Sequence, residues 1–235
     1  MEVIQQPDTL LSLESLNVRV QAWPLLKGKV EVDEVTLSQV AVNSANLIEG
    51  MQIKGVLGRF FLQSHGVDLS NETAVVNRTE LSDTHIQLLM TDTTTTPKDT
   101  TASAPVNWKV NLHQLKLKNV SFGMKLPADS MKMAAYIGEA TIDDAKADLK
   151  NQFYGLKQFL LSGASASYDT GEAQPSEGFD ASHMAVRNIR IGLDSLLYEG
   201  RNMNAVIREI TMEERSGLSI TSLTGRLFSN DSIIR

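Results

Sequence analysis

The stretch VRVQAWPLLKGKVEVDEVTL, Val18 to Leu37, alternates apolar and polar residues, turns through Trp23-Pro24, and then alternates again. A period of two residues is typical of a β-strand with one buried face, so the stretch predicts two amphipathic strands joined by a turn. Each strand carries an apolar face that another surface must cover. The fold and the function both depend on what that surface is.

One short pattern recurs along the chain. It consists of two apolar residues separated by one residue, a step of two residues, and two more apolar residues with the same separation. Eight copies predict a repeated amphipathic strand. The copies begin, in chain order, at Leu11, Val30, Val110, Ala140, Phe159, Met184, Ala205 and Leu218.

The two-residue step would turn the second half of each strand to the wrong face, unless the step forms a bulge or a bend that restores the phase. The residues at the step are polar, and polar residues tolerate such a position. We therefore expect irregular backbone at these sites. They include Asp33-Glu34, His113-Gln114, Asp143-Asp144, Arg208-Glu209 and Thr221-Ser222.

These patterns predict a mainly β fold: an elongated, curved or U-shaped sheet, taco-like and rich in antiparallel pairs, with bulges and few or no long helices. The chain, 1–235, is expected to be a single elongated β-repeat fragment of a larger protein. A Thr-rich segment at 91–105 is predicted to be a flexible loop, since it lacks bulky apolar residues. Gly, Pro and acidic residues predict a surface loop over 167–178. The resulting sections are 10–90, 106–168 and 179–235.

The segment 145–160 fits two structures. Apolar residues at Ala145, Leu149, Leu156 and Leu160 suit one face of a short helix. Gly155 and the neighbouring copies of the pattern favour two strands joined by a turn around Asn151.

Composition excludes several classes of partner. The formal net charge is −6 and the basic residues are scattered singly, which argues against nucleic acid and anionic membrane surfaces. There are no cysteines, so disulfides and thiolate metal sites are excluded. The chain has no apolar run of membrane-span length, and its amino terminus lacks the regions of a signal peptide. We expect either a cytosolic protein or an excised piece of a longer one, and the strand pattern already present at Leu10 favours excision.

Catalytic signatures are missing as well. The sequence has no GxSxG nucleophile motif, and Asp143 and Asp144 are adjacent, so on a strand they would face opposite ways rather than across a cleft. We expect a protein that is not an enzyme and has no cofactor and no metal. The histidines lie far apart, without metal-ligand spacing, at His65, His85, His113 and His183.

The sequence leaves two possibilities for what covers the apolar face. Clear helical stretches are lacking, and aromatic residues make up only 6% of the chain. This composition is compatible with an apolar groove that receives a ligand. An ordinary closed core formed by the sheet itself is the alternative.

The stretch from Leu10 to Asn43 resembles the signature of the AsmA-like family, in which an extended strand leads through a Leu-Leu-Lys-Gly turn into a second patterned strand. The opening PDTLLSLESLNVRV and the closing ERSGLSITSLTGRLFSNDSIIR, Glu214 to Arg235, resemble the amino-terminal part of TamB proteins of the Bacteroidetes type. The similarity runs in the same order over most of the chain, although its motifs are degenerate aliphatic patterns.

This resemblance implies a periplasmic β structure, tethered to the inner membrane by an anchor helix that this sequence lacks. The family is implicated in moving phospholipid between the two membranes of the cell envelope. TamB proteins also assemble outer-membrane proteins with a partner of the Omp85 class. The implied partners are phospholipid acyl chains, an Omp85-class barrel protein and neighbouring repeats of the parent chain.

On this hypothesis acyl chains lie against the aliphatic face, where each CH₂ removed from water contributes about 0.8 kcal/mol. The residues expected to line the groove are Leu16, Val18, Val20, Val30, Val32, Val35, Leu37, Leu115, Leu117, Ile189, Ile191 and Leu223. Two other functions remain. One is a protein-interaction scaffold that pairs its sheet edges with outer-membrane protein precursors. The other is a β-sandwich or adhesin-like domain with two packed sheets.

Overall fold

The structure is a computed structural model that describes residues 2–5, 8–21, 32–44, 50–68, 71–90, 107–171 and 173–230. These residues form twelve β-strands and one short 3-10 helix, Pro127–Asp129, between β6 and β7. The strands are β1 (Glu2–Gln5), β2 (Asp8–Val20), β3 (Val32–Asn43), β4 (Met51–Asp68), β5 (Thr73–Met90), β6 (Lys109–Leu126), β7 (Met131–Asp148), β8 (Phe153–Leu156), β9 (Gln158–Asp169), β10 (His183–Glu199), β11 (Asn202–Glu214) and β12 (Ser219–Ser229).

All twelve strands belong to one sheet, and consecutive strands are neighbours in it, except that β8 and β9 lie end to end between β7 and β10. Every pair is antiparallel except β5 and β6, which run parallel in register from Thr73 opposite Lys109 to Leu89 opposite Lys125. The predicted mainly β, elongated, curved and antiparallel-rich sheet is confirmed. A parallel pair needs a long connection, and the one between β5 and β6 contains the Thr-rich segment 91–105, which lies outside the described residues.

The opening stretch forms neighbouring strands, since Val18 pairs with Val35 across β2 and β3. Its Trp-Pro turn lies outside the described residues. The segment 145–160 is not helical. β7 ends at Asp148 and a turn follows. β8 and β9 then lie end to end between β7 and β10, with a break at Lys157. The short-helix alternative is therefore wrong.

The loop predicted over 167–178 begins later than expected. β9 continues through Asp169, because residues 167 to 169 pair with both β7 and β10. The exposed loop between β9 and β10 starts at Thr170, and Asp180 and His183 close it. Ala and Ser have little strand propensity of their own, so the end of β9 is held by pairing with strands on both sides, which the sequence does not reveal.

Irregular backbone lies at four of the five two-residue steps, and the prediction was wrong for His113-Gln114. Asp33 has no partner between the pairs Arg19–Glu34 and Val20–Val32, so β3 is bulged there. The steps Arg208-Glu209 and Thr221-Ser222 coincide with register shifts between β11 and β12. At Asp143-Asp144 the second residue has a left-handed φ of 48°. His113-Gln114 stays in register with β7, since His113 lies opposite Asp144.

A line of left-handed residues and glycines crosses the middle of the sheet. It joins positions that lie opposite one another on consecutive strands: Gln39, Gly58, Asp83, Asn119, Gly138 and Gly163. Four of these six have positive φ. The backbones approach so closely that a Cβ on Gly58 would lie 2.7 Å from the Cβ of Asp83. Asparagine, aspartate and glycine tolerate this conformation, and bulge-like irregularities bend a sheet and increase its twist.

The sheet is a single layer. Extensive contacts join only strands that are adjacent in the sheet, apart from the 3-10 turn against β7. In the described part of the chain from Leu11 onward, the only buried apolar side chains are four alanines, Ala74, Ala140, Ala164 and Ala205. No large aliphatic residue there is buried, so the closed-core alternative and the β-sandwich alternative both fail for this part of the chain.

Candidate functional site

The apolar positions of the repeat form continuous rows across the sheet. One row, here called the apolar row, crosses ten strands with one residue from each strand, and residues in register share a face. At about 4.8 Å between neighbouring strands the row is about 43 Å long. Its members are Leu16, Leu37, Phe60, Leu81, Leu117, Ala140, Leu161, Ile191, Ile210 and Leu223.

A second row lies beside it on the same face, two residues along each strand except β11, where a register shift makes the step three residues, from Ile210 to Ile207. It is apolar except where Thr79 and Gly225 interrupt it. Its members are Val18, Val35, Leu62, Thr79, Leu115, Ile142, Phe159, Leu193, Ile207 and Gly225. The two rows together form a continuous apolar stripe.

Ten of the predicted lining residues meet in these two rows or at their end, counting both Val20 and Val32. Five are in the apolar row, three are in the second row, and Val20 extends the stripe through its pair with Val32. Ile189 pairs with Ala164 beyond the central line of glycines and left-handed residues. Val30 lies outside the described residues.

Exposure differs along the stripe. Leu16 and Val18, near one edge of the sheet, are 52% and 51% exposed, and Leu223 on the edge strand β12 is 43% exposed. Between these edges the side chains of Leu37, Leu117 and their neighbours are half-buried by the residues beside them in the same face. The side chains of the stripe are thus partly exposed, except that of Ala140, which is buried, and no second layer of described residues covers the stripe.

The predicted set missed the contribution of β4 and β5. Phe60 and Leu62 from β4, with Leu81 from β5, complete the two rows between β3 and β6. β5 matches the repeat when threonine is counted as an apolar residue. Thr79 and Leu81 then form the first pair of the pattern, and Thr84 follows them after the two-residue step. Threonine is β-branched and fits a half-buried strand, so this was the signal that could have revealed it.

Ion pairs across neighbouring strands stabilise the sheet. Arg187 contacts Glu213 at 3.1 Å and Arg208 pairs with Asp194. At the break between β8 and β9, Lys157 lies 2.9 Å from Asp144, and this hydrogen bond, with a second from His113, lowers the pKa of the Asp144 carboxyl.

Carboxylates also close the turns. Asp180 accepts hydrogen bonds from the backbone N–H groups of Ser176 and Ser182 and from His183, and these bonds lower its pKa, the Ser176 bond most. Hydrogen bonds from Ser216, first from its hydroxyl and then from its N–H at 2.7 Å, lower the pKa of the Glu214 carboxyl. These groups order the polar ends of the sheet.

A concavity of about 1030 Å³ is lined by residues of β4 to β7, β9 and β10 and by Arg215. None of the predicted lining residues belongs to it. Its lining includes polar residues such as His85 and Ser121, whose side chains lie 2.5 Å apart. The stripe is therefore an open surface rather than a pocket.

Within the described ranges, no three His, Cys, Asp or Glu side chains are grouped so that they could hold a metal ion. No helix in the described part of the chain has the length and apolar character needed to cross a membrane. Neither a model of a known protein family nor a curated protein matches this sequence. The likeness to the AsmA-like family therefore stays a prediction.

Proposed function

We propose that this chain is a periplasmic segment of a protein that transfers phospholipid between membranes and supports outer-membrane assembly. The acyl chains would lie against the stripe, and the head groups would stay in water. The observation that supports the proposal most strongly is the unbroken apolar row from Leu16 to Leu223, which no second layer of described residues covers.

Monomeric soluble proteins rarely leave such a continuous apolar surface uncovered. The stripe is about 43 Å long by strand spacing, which exceeds the roughly 30 Å hydrocarbon thickness of a whole bilayer. An acyl chain is therefore short enough to lie wholly on it. The contacts are similar along the row, because every strand contributes an apolar side chain and most of these are aliphatic. A bound chain can therefore move along the row without a large barrier.

The test is lipid recovery. The chain would be expressed with a signal peptide in a bacterium with two membranes, purified without detergent, and extracted for mass spectrometry. We expect phospholipid at a substantial molar ratio in the wild-type chain and a clear loss in the variant Leu37→Asp/Leu117→Asp, with circular dichroism showing that the strands remain. Lipid-free wild-type protein from this source, folded and monomeric, would contradict the proposal.

A scaffold function is the second candidate, and the edge strand β12 favours it. Within the described residues β12 pairs only with β11, and Leu218 and Phe228 are exposed near its two ends. An unpaired strand edge can receive an extended segment by backbone hydrogen bonding. The same edge could receive the next repeat of a longer parent chain. Crosslinks from β12 to strands of an outer-membrane barrel precursor, with no lipid recovered, would favour the scaffold over lipid transfer.

A further inference from the structure

The concavity has a charge that contrasts with the chain as a whole. Five basic side chains and one carboxylate, that of Asp169, line it, whereas the net charge of the protein is −6. Arg187 is already paired with Glu213. The other four basic residues form no ion pair with the described residues: Lys54, Lys125, Lys132 and Arg215.

Two of these basic residues are placed against each other. Lys125 and Lys132 are register partners at the end of the β6–β7 hairpin, which the short turn Pro127–Asp129 closes. Like charges directly opposite each other on neighbouring strands are destabilising, since their Cβ atoms are only about 5 Å apart. Asp169 lies opposite Lys132 on the other side, in β9, but is not within ion-pair distance. An anion from solution would relieve this repulsion.

The floor between the basic residues is made of small side chains. Gly123, Ala134, Ser167 and Ala185 lie in register across β6, β7, β9 and β10. Because these side chains are small, they leave space for a ligand above the backbone of the curved sheet. The ring of Tyr136 lines one side of that space. A volume of about 1030 Å³ is within the range of sites for small organic ligands.

The rim at Arg215 is held in position by its neighbours. The Arg215 N–H donates to the Ala185 carbonyl at 2.9 Å. The Glu214 carboxylate accepts from the Ala185 N–H at 3.3 Å and from the Ser216 N–H at 2.7 Å. These bonds tie the β11–β12 turn to β10, so Arg215 stays beside the concavity rather than extending into solvent.

We propose that this concavity binds an anionic, phosphate-bearing amphiphile, with the phosphate between Lys125, Lys132 and Arg215 and the apolar part over the small-residue floor. Lysine and arginine bind phosphate through charge-assisted hydrogen bonds. The site is separate from the stripe, and it goes beyond the proposed function because it does not depend on the stripe binding acyl chains.

The test is isothermal titration of the whole chain with dihexanoyl phosphatidic acid below its critical micelle concentration, with dihexanoyl phosphatidylcholine as the zwitterionic comparison. We expect binding of the acid that weakens as salt is raised, and weak or no binding of the zwitterion. The variant Lys125→Gln/Lys132→Gln should weaken binding by about tenfold or more, because it removes two charge-assisted contacts. The matched control Lys116→Gln/Lys118→Gln changes the same charge on the same strand, outside the concavity, and should bind within about twofold of wild type.

Inorganic pyrophosphate distinguishes the sources of the phosphate. If it competes with the lipid at the same site, the site takes free phosphate compounds; if it does not, the site takes lipid head groups, and either result supports the proposal. Equal binding of both lipids, no binding by the folded wild-type chain, or equal losses in the two double variants would overturn it. Failure here would leave the stripe untouched, since Leu37→Asp/Leu117→Asp tests that face separately.

Discussion

Replacing a leucine of the apolar row with aspartate should remove lipid binding while the sheet stays folded. Leu223 and Leu160 make a matched pair, because they are the same residue type with similar exposure, 43% and 37%. Leu223 belongs to the apolar row because it pairs with Ile210, which pairs with Ile191, which in turn pairs with Leu161. Leu160 is adjacent to Leu161 in β9, so its side chain projects from the opposite face.

The cost to folding should be small and similar for both variants. Complete burial of a leucine side chain contributes about 1.5–3 kcal/mol. Since both side chains are more than a third exposed, each substitution should lower the free energy of unfolding by about 1–1.5 kcal/mol. Urea unfolding followed by circular dichroism measures this quantity.

The cost to lipid binding should differ. A charge at Leu223 would displace about three methylenes of a bound acyl chain, each contributing about 0.8 kcal/mol when fully removed from water. Contact on one side only gives about half of that, so Leu223→Asp should lose between about 1.2 and about 2.4 kcal/mol of binding free energy, or roughly eight- to sixty-fold in Kd.

Fluorescence titration with a phospholipid that carries a labelled head group measures the Kd of each variant. Leu160→Asp should bind like the wild-type chain. Equal losses in the two variants would refute the assignment of the lipid to this face, and unchanged binding by Leu223→Asp would refute the role of the row at β12.

The backbone and the carboxylates give three further predictions. Gly58→Ala should destabilise the fold by about 1–3 kcal/mol, because its Cβ would lie 2.7 Å from atoms of the neighbouring strand. Gly123→Ala, whose Cβ would have its nearest neighbour at 3.9 Å, should change the free energy of unfolding by less than about 1 kcal/mol. Denaturant unfolding compares the two variants, and equal losses would contradict the close approach. Asn119 has a φ of 53°, so Asn119→Val should be less stable than Asn119→Gly by about 1–2 kcal/mol. Both variants lose the same side-chain hydrogen bond, so the difference reports the backbone alone. Thermal unfolding compares them, and equal midpoints would argue against a left-handed residue at this position. The pKa of Asp180 is lowered in the folded state, so its contribution to stability is present above the ordinary value of 3.8 and is lost as the pH falls below it. Asp180→Asn should therefore be less stable than wild type at neutral pH, and the difference in free energy of unfolding should narrow in acid. A difference that widens in acid would contradict the lowered pKa.

The class of fold could be predicted from the sequence because the period-two pattern and its two-residue steps are local properties. The bulge at Asp33-Glu34 and the left-handed residue at Asp144 lie where the spacing required irregular backbone. Local patterns also decided the strands at 145–160, where Gly155 opposed a helix.

Other features depend on long-range pairing and could not be predicted. The parallel pairing of β5 and β6 follows from a connection whose path local propensity does not determine. The role of Phe60 and Leu62 was missed because adjacent apolar residues in β4, including Phe61, obscure the alternation. The basic concavity is likewise invisible in the sequence, since Lys54, Lys125 and Arg215 are scattered singly and meet only through the sheet.

The most direct test of the account is site-specific photocrosslinking to lipid inside living cells. A photoreactive phenylalanine analogue at Leu117, in the middle of the apolar row, should capture phospholipid that mass spectrometry identifies on the purified chain. The same analogue at Leu160, on the opposite face, should capture little. Equal capture at both positions, or none at Leu117 in a folded chain, would contradict the claim that the uncovered apolar row is the lipid-binding surface.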